Sequence, residues 1–107
     1  MKRYGQLIGV RPEKLEEYKA YHADVWPEIL SMIRECNIRN YSIFHKDHML
    51  FAYFEYVGND FDADMAKMAA DPKTQEWWAI MMPMQVPVAT RAAGEWWASL
   101  EEVFHTD

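Results

Sequence analysis

Tyr18 and His22 stand four residues apart in the stretch Tyr18-Lys19-Ala20-Tyr21-His22-Ala23-Asp24-Val25-Trp26-Pro27-Glu28. At helical spacing a phenol and an imidazole then share one face with Leu15, Trp26, Ile29 and Ile33. Glu16, Glu17, Lys19, Asp24 and Glu28 fall mostly off that face, so it is the one expected to turn inward. An imidazole with an ordinary pKa of about 6.5 can take or give a proton near neutrality. A phenol, with an ordinary pKa of about 10, is better suited to donate. An inward polar group without a partner costs roughly 1–3 kcal/mol. Either the core satisfies Tyr18 and His22, or they border a cavity where a ligand does.

Other constellations are weaker. His45 and His48 flank a turn with no Cys or carboxylate trio beside them, so no metal site is expected. Asp60, Asp62 and Asp64 begin like a calcium loop. Met65 stands where the glycine should follow, and Asp71 where the closing Glu should be. These acids read better as capping and dipole residues of a helix start. No Gly-rich phosphate loop occurs, so no nucleotide cofactor is expected. The single Cys36 allows no internal disulfide, lacks a thiol-protease signature, and reads as a core residue of a cytoplasmic protein. Seventeen acidic against 11 basic residues give a net charge of −6, which disfavours a nucleic-acid partner. No apolar run is long enough to span a membrane, and Met1 to Gln6 lacks the start of a signal peptide.

The elements that must hold these residues follow from periodicity. A chain of 107 residues suits one domain, residues 1–107. Lys2 to Val10 alternates as a strand, and its glycines allow a close approach on their face. Pro12 and Glu13 open a helix that runs toward Cys36, and Pro27 must kink or interrupt it. Asn37 ends that helix. Ile38 to His45 and Met49 to Val57 are strands joined by a hairpin at Lys46-Asp47-His48. Phe61 to Ala70 and the stretch after Asp71-Pro72 are helices. Pro83 to Gly94 reads as a long loop, a lid or an arm, and Trp97 to His105 as the last strand. The order is β-α-β-β-α-β, an α+β ferredoxin-like split motif. The third strand is apolar on both faces, with Met49, Phe51 and Tyr53 on one side and Leu50, Ala52, Phe54 and Tyr56 on the other. Such a sheet needs cover on both sides: helices on one, and a second subunit or a pocket on the other. That points to a homodimer. The aromatic share of 15% and the eight Met suit a ligand pocket, an oligomer interface, or both.

Tyr41 alternates with Arg39, Ile43 and His45. If the helices cover that face, Tyr41 approaches Tyr18 and His22. Trp77 and Trp78 lie about 100° apart on a helix, so one can pack inward while the other edges a pocket. Trp96-Trp97 has the same character. Aromatic walls suit the apolar faces of sugars, steroids or flat rings.

In this order and at these spacings, the chain resembles the L-rhamnose mutarotases. The likeness rests on Glu17-Tyr18, Tyr21-His22, Trp26-Pro27-Glu28, Asn40-Tyr41-Ser42-Ile43-Phe44, Leu50-Phe51-Ala52-Tyr53 with Glu55, Trp77-Trp78, and Leu100-x-Glu102-Val103-Phe104-His105. It covers nearly the whole chain and is poorest over Arg91 to Trp97. The resemblance implies a ferredoxin-like subunit that dimerises into an α/β barrel, with a monosaccharide site in each subunit. It implies His22 as the acid/base residue and Tyr18, Tyr41, Trp77 and Trp78 as sugar-binding positions. The implied reaction exchanges sugar anomers through ring opening, rotation and closure. It has no redox step and needs no cofactor. Tyr18, Glu102 or water could carry the second proton. Other ferredoxin-like barrel dimers act as oxygenases or haem proteins, with His22 then an axial ligand. A non-catalytic sugar sensor and a purely structural dimer are further alternatives.

Overall fold

The computed structural model describes residues 1–107. Strand β1 (Lys2–Val10) leads through one turn of 3-10 helix at Pro12–Lys14 into helix α1 (Leu15–Ala23), and helix α2 spans Pro27–Glu35. Strands β2 (Ile38–Lys46) and β3 (Met49–Tyr56) form the hairpin. Helices α3 (Phe61–Ala70) and α4 (Pro72–Met81) follow, then short strands β4 (Gln85–Val86) and β5 (Ala98–Leu100). No helix is long and apolar enough to cross a membrane.

Pro27 interrupts the first helical stretch outright. Trp26 is driven to φ −57°, ψ 135°, the extended state that a following proline imposes, and α2 starts afresh with Pro27 in its first turn. Asn37 ends α2 in the left-handed region at φ 65°. Asp47 and His48, at φ 51° and 62°, make the two-residue hairpin turn whose hand matches the strand twist. Asp60 caps α3 by accepting from the Ala63 N–H at 3.1 Å. Asp71 caps α4 by accepting from the Thr74 N–H at 2.9 Å. Asp64, expected among the capping acids, instead accepts from the Tyr56 hydroxyl and from Asn37.

The sheet is antiparallel in the order β2-β3-β1-β4, with β5 also pairing β1. Gly9 pairs with Val86 and Gly5 with Leu100, so β4 and β5 divide one edge of β1 between them. A Cβ on Gly9 would come within 2.9 Å of the Val86 carbonyl oxygen, the close approach that this glycine permits. The expected loop over Pro83–Gly94 therefore contains a strand. Two residues carry no readable alternation, and the Gly9–Val10 edge sets their state. The expected strand over Trp97–His105 holds only at Ala98–Leu100. Beyond Leu100 the chain leaves the ladder, Glu102 meets β1 through the Arg3 side chain, and Val103 and Phe104 stand 88% and 79% exposed.

The helices cover one face of the sheet. Ile8, Val10, Leu50, Tyr18, Ile29, Trp77, Met81 and Met84 form the main core. Ile38, Phe54 and Tyr56 form a second cluster. Cys36 is fully buried, as expected. The opposite face carries Phe44, Phe51, Val86 and Leu100, each more than two-fifths exposed. In β2 the register shifts between Arg39 and Ser42, with Asn40 at φ 52°. This bulge breaks the expected run of Arg39 with Tyr41. Tyr41 stays with Ile43 on the helix side, while Arg39 binds the carbonyls of Arg34 and Ile38.

Candidate active site

Between the helices and the sheet lies a cavity of about 490 Å³, within the range that small-molecule ligands occupy. Seventeen of its 21 lining residues are hydrophobic, so the few polar groups must fix the orientation of anything bound. Tyr18, His22, Tyr41, Trp77 and Trp78 all line it, along with Gln6, Thr74 and Gln85. The five residues singled out from the sequence thus meet around one space. They arrive from α1, β2 and α4. Glu102 does not: it sits on the exposed tail, where it pairs with Arg3 at 3.3 Å.

Trp77 is buried and forms the floor, meeting Tyr21, His22 and Trp26 edge to face. Trp78 is 37% exposed and forms part of the wall. The two tryptophans divide the roles of core and rim, as the angle between them requires.

The proton inventory is unusually well defined. His22 Nδ1 lies 2.7 Å from the Tyr18 carbonyl oxygen. That oxygen can only accept, so Nδ1 carries the hydrogen and the neutral ring keeps an open lone pair at Nε2. Burial pushes the His22 pKa below its ordinary value, and the bond to the Tyr18 carbonyl only partly opposes this. Neutral His22 at physiological pH is therefore a base in waiting. Its ring stacks on Tyr18, with centroids 4.3 Å apart.

Burial pushes the Tyr18 phenol up, and a hydrogen bond from Gln85 partly offsets it. Tyr41 keeps 41% of its surface exposed. Desolvation around its hydroxyl, with Tyr18 nearby, pushes its pKa up to about 12. Both phenols stay protonated and available as donors.

Gln85, which the sequence did not single out, and Trp96, noted there only as half of an aromatic pair, join this site. Gln85 Nε2 donates to the Tyr18 hydroxyl at 3.1 Å. Trp96 Nε1 donates to Gln85 Oε1 at 2.7 Å. Gln85 is only 6% exposed, which is unusual for an amide. The only hint in the sequence is a glutamine set among Met84, Val86 and Pro87.

The sequence profile of the family described as L-rhamnose mutarotase matches residues 3–106. The L-rhamnose mutarotase of Oceanobacillus iheyensis is 34% identical over 115 residues, covering 100% of both chains. That of Sinorhizobium fredii is 34% identical over 106 residues, covering 98% of both. The crystal structure of L-rhamnose mutarotase from Formosa agariphila superposes with a TM-score of 0.78 at 22% identity over 100% of both chains. Tetracenomycin F2 cyclase from Streptomyces glaucescens shares the fold, with a TM-score of 0.71 at 15% identity and full coverage of both. The matched profile and the full-length relatives place this chain in the L-rhamnose mutarotase family.

Proposed function

We propose that this chain is a mutarotase that exchanges the α and β anomers of L-rhamnose or a related reducing deoxy-sugar. The observation that carries the reading is the fixed neutral tautomer of His22, lone pair free, stacked on a protonated Tyr18 at an apolar cavity. Family membership supports the same activity.

The chemistry follows from those groups. His22 Nε2 takes the proton of the anomeric hydroxyl. As the C1 carbonyl forms, the bond from C1 to the ring oxygen breaks, and the Tyr18 hydroxyl supplies a proton to that oxygen. The carbonyl end rotates, the ring oxygen attacks the other face of C1, and both protons return. A positioned acid or base contributes roughly 10²–10⁴-fold, enough for a reaction that already proceeds in water. Tyr41 serves as a hydrogen-bonding wall, and Trp77 and Trp78 offer flat apolar surface to the C–H face and methyl group of the sugar.

The whole of residues 1–107 acts in this reading as one domain in a homodimer. The uncovered sheet face with Phe44, Phe51, Val86 and Leu100 supports the dimer, since two such faces stacked would close a barrel. A cytoplasmic location is supported by the single unpaired cysteine.

Saturation-transfer NMR on the anomeric protons of L-rhamnose tests the activity. Substoichiometric protein should transfer saturation between anomers well above the buffer rate. A sugar that raises the melting temperature without faster exchange would mark a binding protein instead.

A further inference from the structure

The hydrogen bonds at Tyr18 run in one direction. An indole N–H can donate and cannot accept, so the Gln85 amide must turn its oxygen to Trp96. Its nitrogen is left facing Tyr18 and can only donate there. Flipping the amide would set donor against donor at Trp96. The Tyr18 oxygen is thereby committed as an acceptor on this side. Its own proton has no protein acceptor, and the cavity lies beside it.

We infer that Gln85 and Trp96 are positioning residues of the reaction, fixing the polarity of the Tyr18 hydroxyl so that its proton faces the sugar. This rests on the proton-transfer reading above. The placement fits it. Gln85 lies on β4, held against β1 by the pairing of Val10 with Gln85, and Trp96 lies just before β5. The segment between the two short strands thus ends, on both sides, in a member of the chain that reaches Tyr18. Gln85 and Thr74 are the buried polar residues of the molecule. Thr74 is accounted for, since its hydroxyl donates to the Asp71 carboxylate at the start of α4. Gln85 serves no cap. Its amide spends its polar atoms on Tyr18 and Trp96. Donation from Gln85 also eases the Tyr18 phenol down against the effect of burial, which makes the phenol a better acid. A Gln85 that merely tied β4 to α1 would affect stability and leave the acid–base behaviour alone.

The isosteric variant Gln85→Glu separates these roles. At neutral pH the introduced carboxylate accepts from Trp96 and also takes the Tyr18 proton, inverting the polarity. We expect kcat to fall about 10²-fold, with KM within about threefold of the unmodified protein. As the pH falls the carboxyl protonates and donates to Tyr18 again. The ratio of variant to wild-type kcat should then rise, over a range where His22 protonation slows both. Trp96→Phe frees the amide to flip and should cost about fivefold in kcat; it serves where the first variant folds poorly. A readout independent of turnover is the ζ-carbon resonance of carbon-13-labelled Tyr18, assigned with Tyr18→Phe. It should move in Gln85→Glu at neutral pH and return in acid. An active wild type whose Gln85→Glu variant keeps its neutral kcat, or an unmoved Tyr18 resonance, overturns the positioning role and leaves the mutarotase reading standing. A wild type that exchanges no anomers removes the reaction itself, and with it the role of Gln85.

Discussion

Tyr18 and Tyr56 anchor small hydrogen-bond networks at opposite ends of β1, and they differ in where the phenol proton goes. Tyr56 lies on β3 opposite Lys2, and its hydroxyl donates to the Asp64 carboxylate. It also accepts from the Asp60 N–H at 3.0 Å, and Asn37 donates to the same carboxylate at 3.0 Å. Every group there is engaged, and the network ties β3 to the end of α2 and the start of α3. Tyr18, near the Val10 end, only accepts. A tyrosine whose proton is already given to an aspartate is a fastener. A tyrosine held by an amide N–H keeps its proton uncommitted. Two buried phenols in one small core thus differ, through the chemistry of a single neighbour, in whether the proton is already committed.

The largest expected difference between the two networks is in rate. Tyr18→Phe should lower anomer exchange about 10²-fold or more, read by saturation transfer, while Tyr56→Phe should leave it within about twofold. Melting temperature should not divide the pair so cleanly. Tyr56→Phe strands the Asp60 N–H and weakens the Asp64 site, so it lowers the melting temperature. Tyr18→Phe leaves the Gln85 amide without its acceptor, at a cost of roughly 1–3 kcal/mol. A rate loss in Tyr56→Phe equal to that in Tyr18→Phe would erase the distinction.

Acid should separate the two ends next. The native His22 pKa lies below its ordinary value, so the native state holds fewer protons there than the unfolded chain. Its stabilising contribution is complete above about pH 6.5 and is lost as the pH falls toward the native pKa. The rate should fall in that same window as the lone pair at Nε2 is protonated. Asp64 is also depressed, first by the Tyr56 hydroxyl and then by Asn37. Its contribution holds above the ordinary carboxylate value and is lost as the pH falls below that value toward the depressed native pKa. Anomer exchange and melting temperature, followed together from about pH 8 to about pH 3, should show activity declining before the Tyr56 clip releases.

The smallest effect is expected at the rim. Trp78 is 37% exposed, so Trp78→Ala should cost little stability. It should raise KM several-fold with kcat nearly unchanged, the sign of lost uniform binding. A matching fall in kcat would place Trp78 nearer to the reacting atoms.

Much of this was legible in the sequence where a local period was long enough to read. The nine residues of β1 alternate and the eight of β3 form an apolar, aromatic run bounded by turn residues, and both appear with nearly the expected bounds. Pro27 announced a break, and the extended state forced on Trp26 made it complete. Tyr18 and His22 were visible because residues four apart on an inward helical face must meet. Gln85 was not, and Trp96 was visible only as half of an aromatic pair, because their contact with each other and with Tyr18 arises across the fold. Gln85 reaches Tyr18 from 67 residues away, out of a proline-bounded pair too short to show a period. The tail beyond Leu100 failed for the opposite reason, since Glu102 and Phe104 continue a readable alternation but the chain pairs no further with β1 and both side chains stay exposed.

The central claim is that neutral His22 takes the anomeric proton. It is tested most directly by the saturation-transfer rate of His22→Asn on L-rhamnose, with the fold checked by its melting transition. The account predicts a folded protein whose exchange rate drops to near that of buffer. Exchange at the wild-type rate in that folded variant would contradict it.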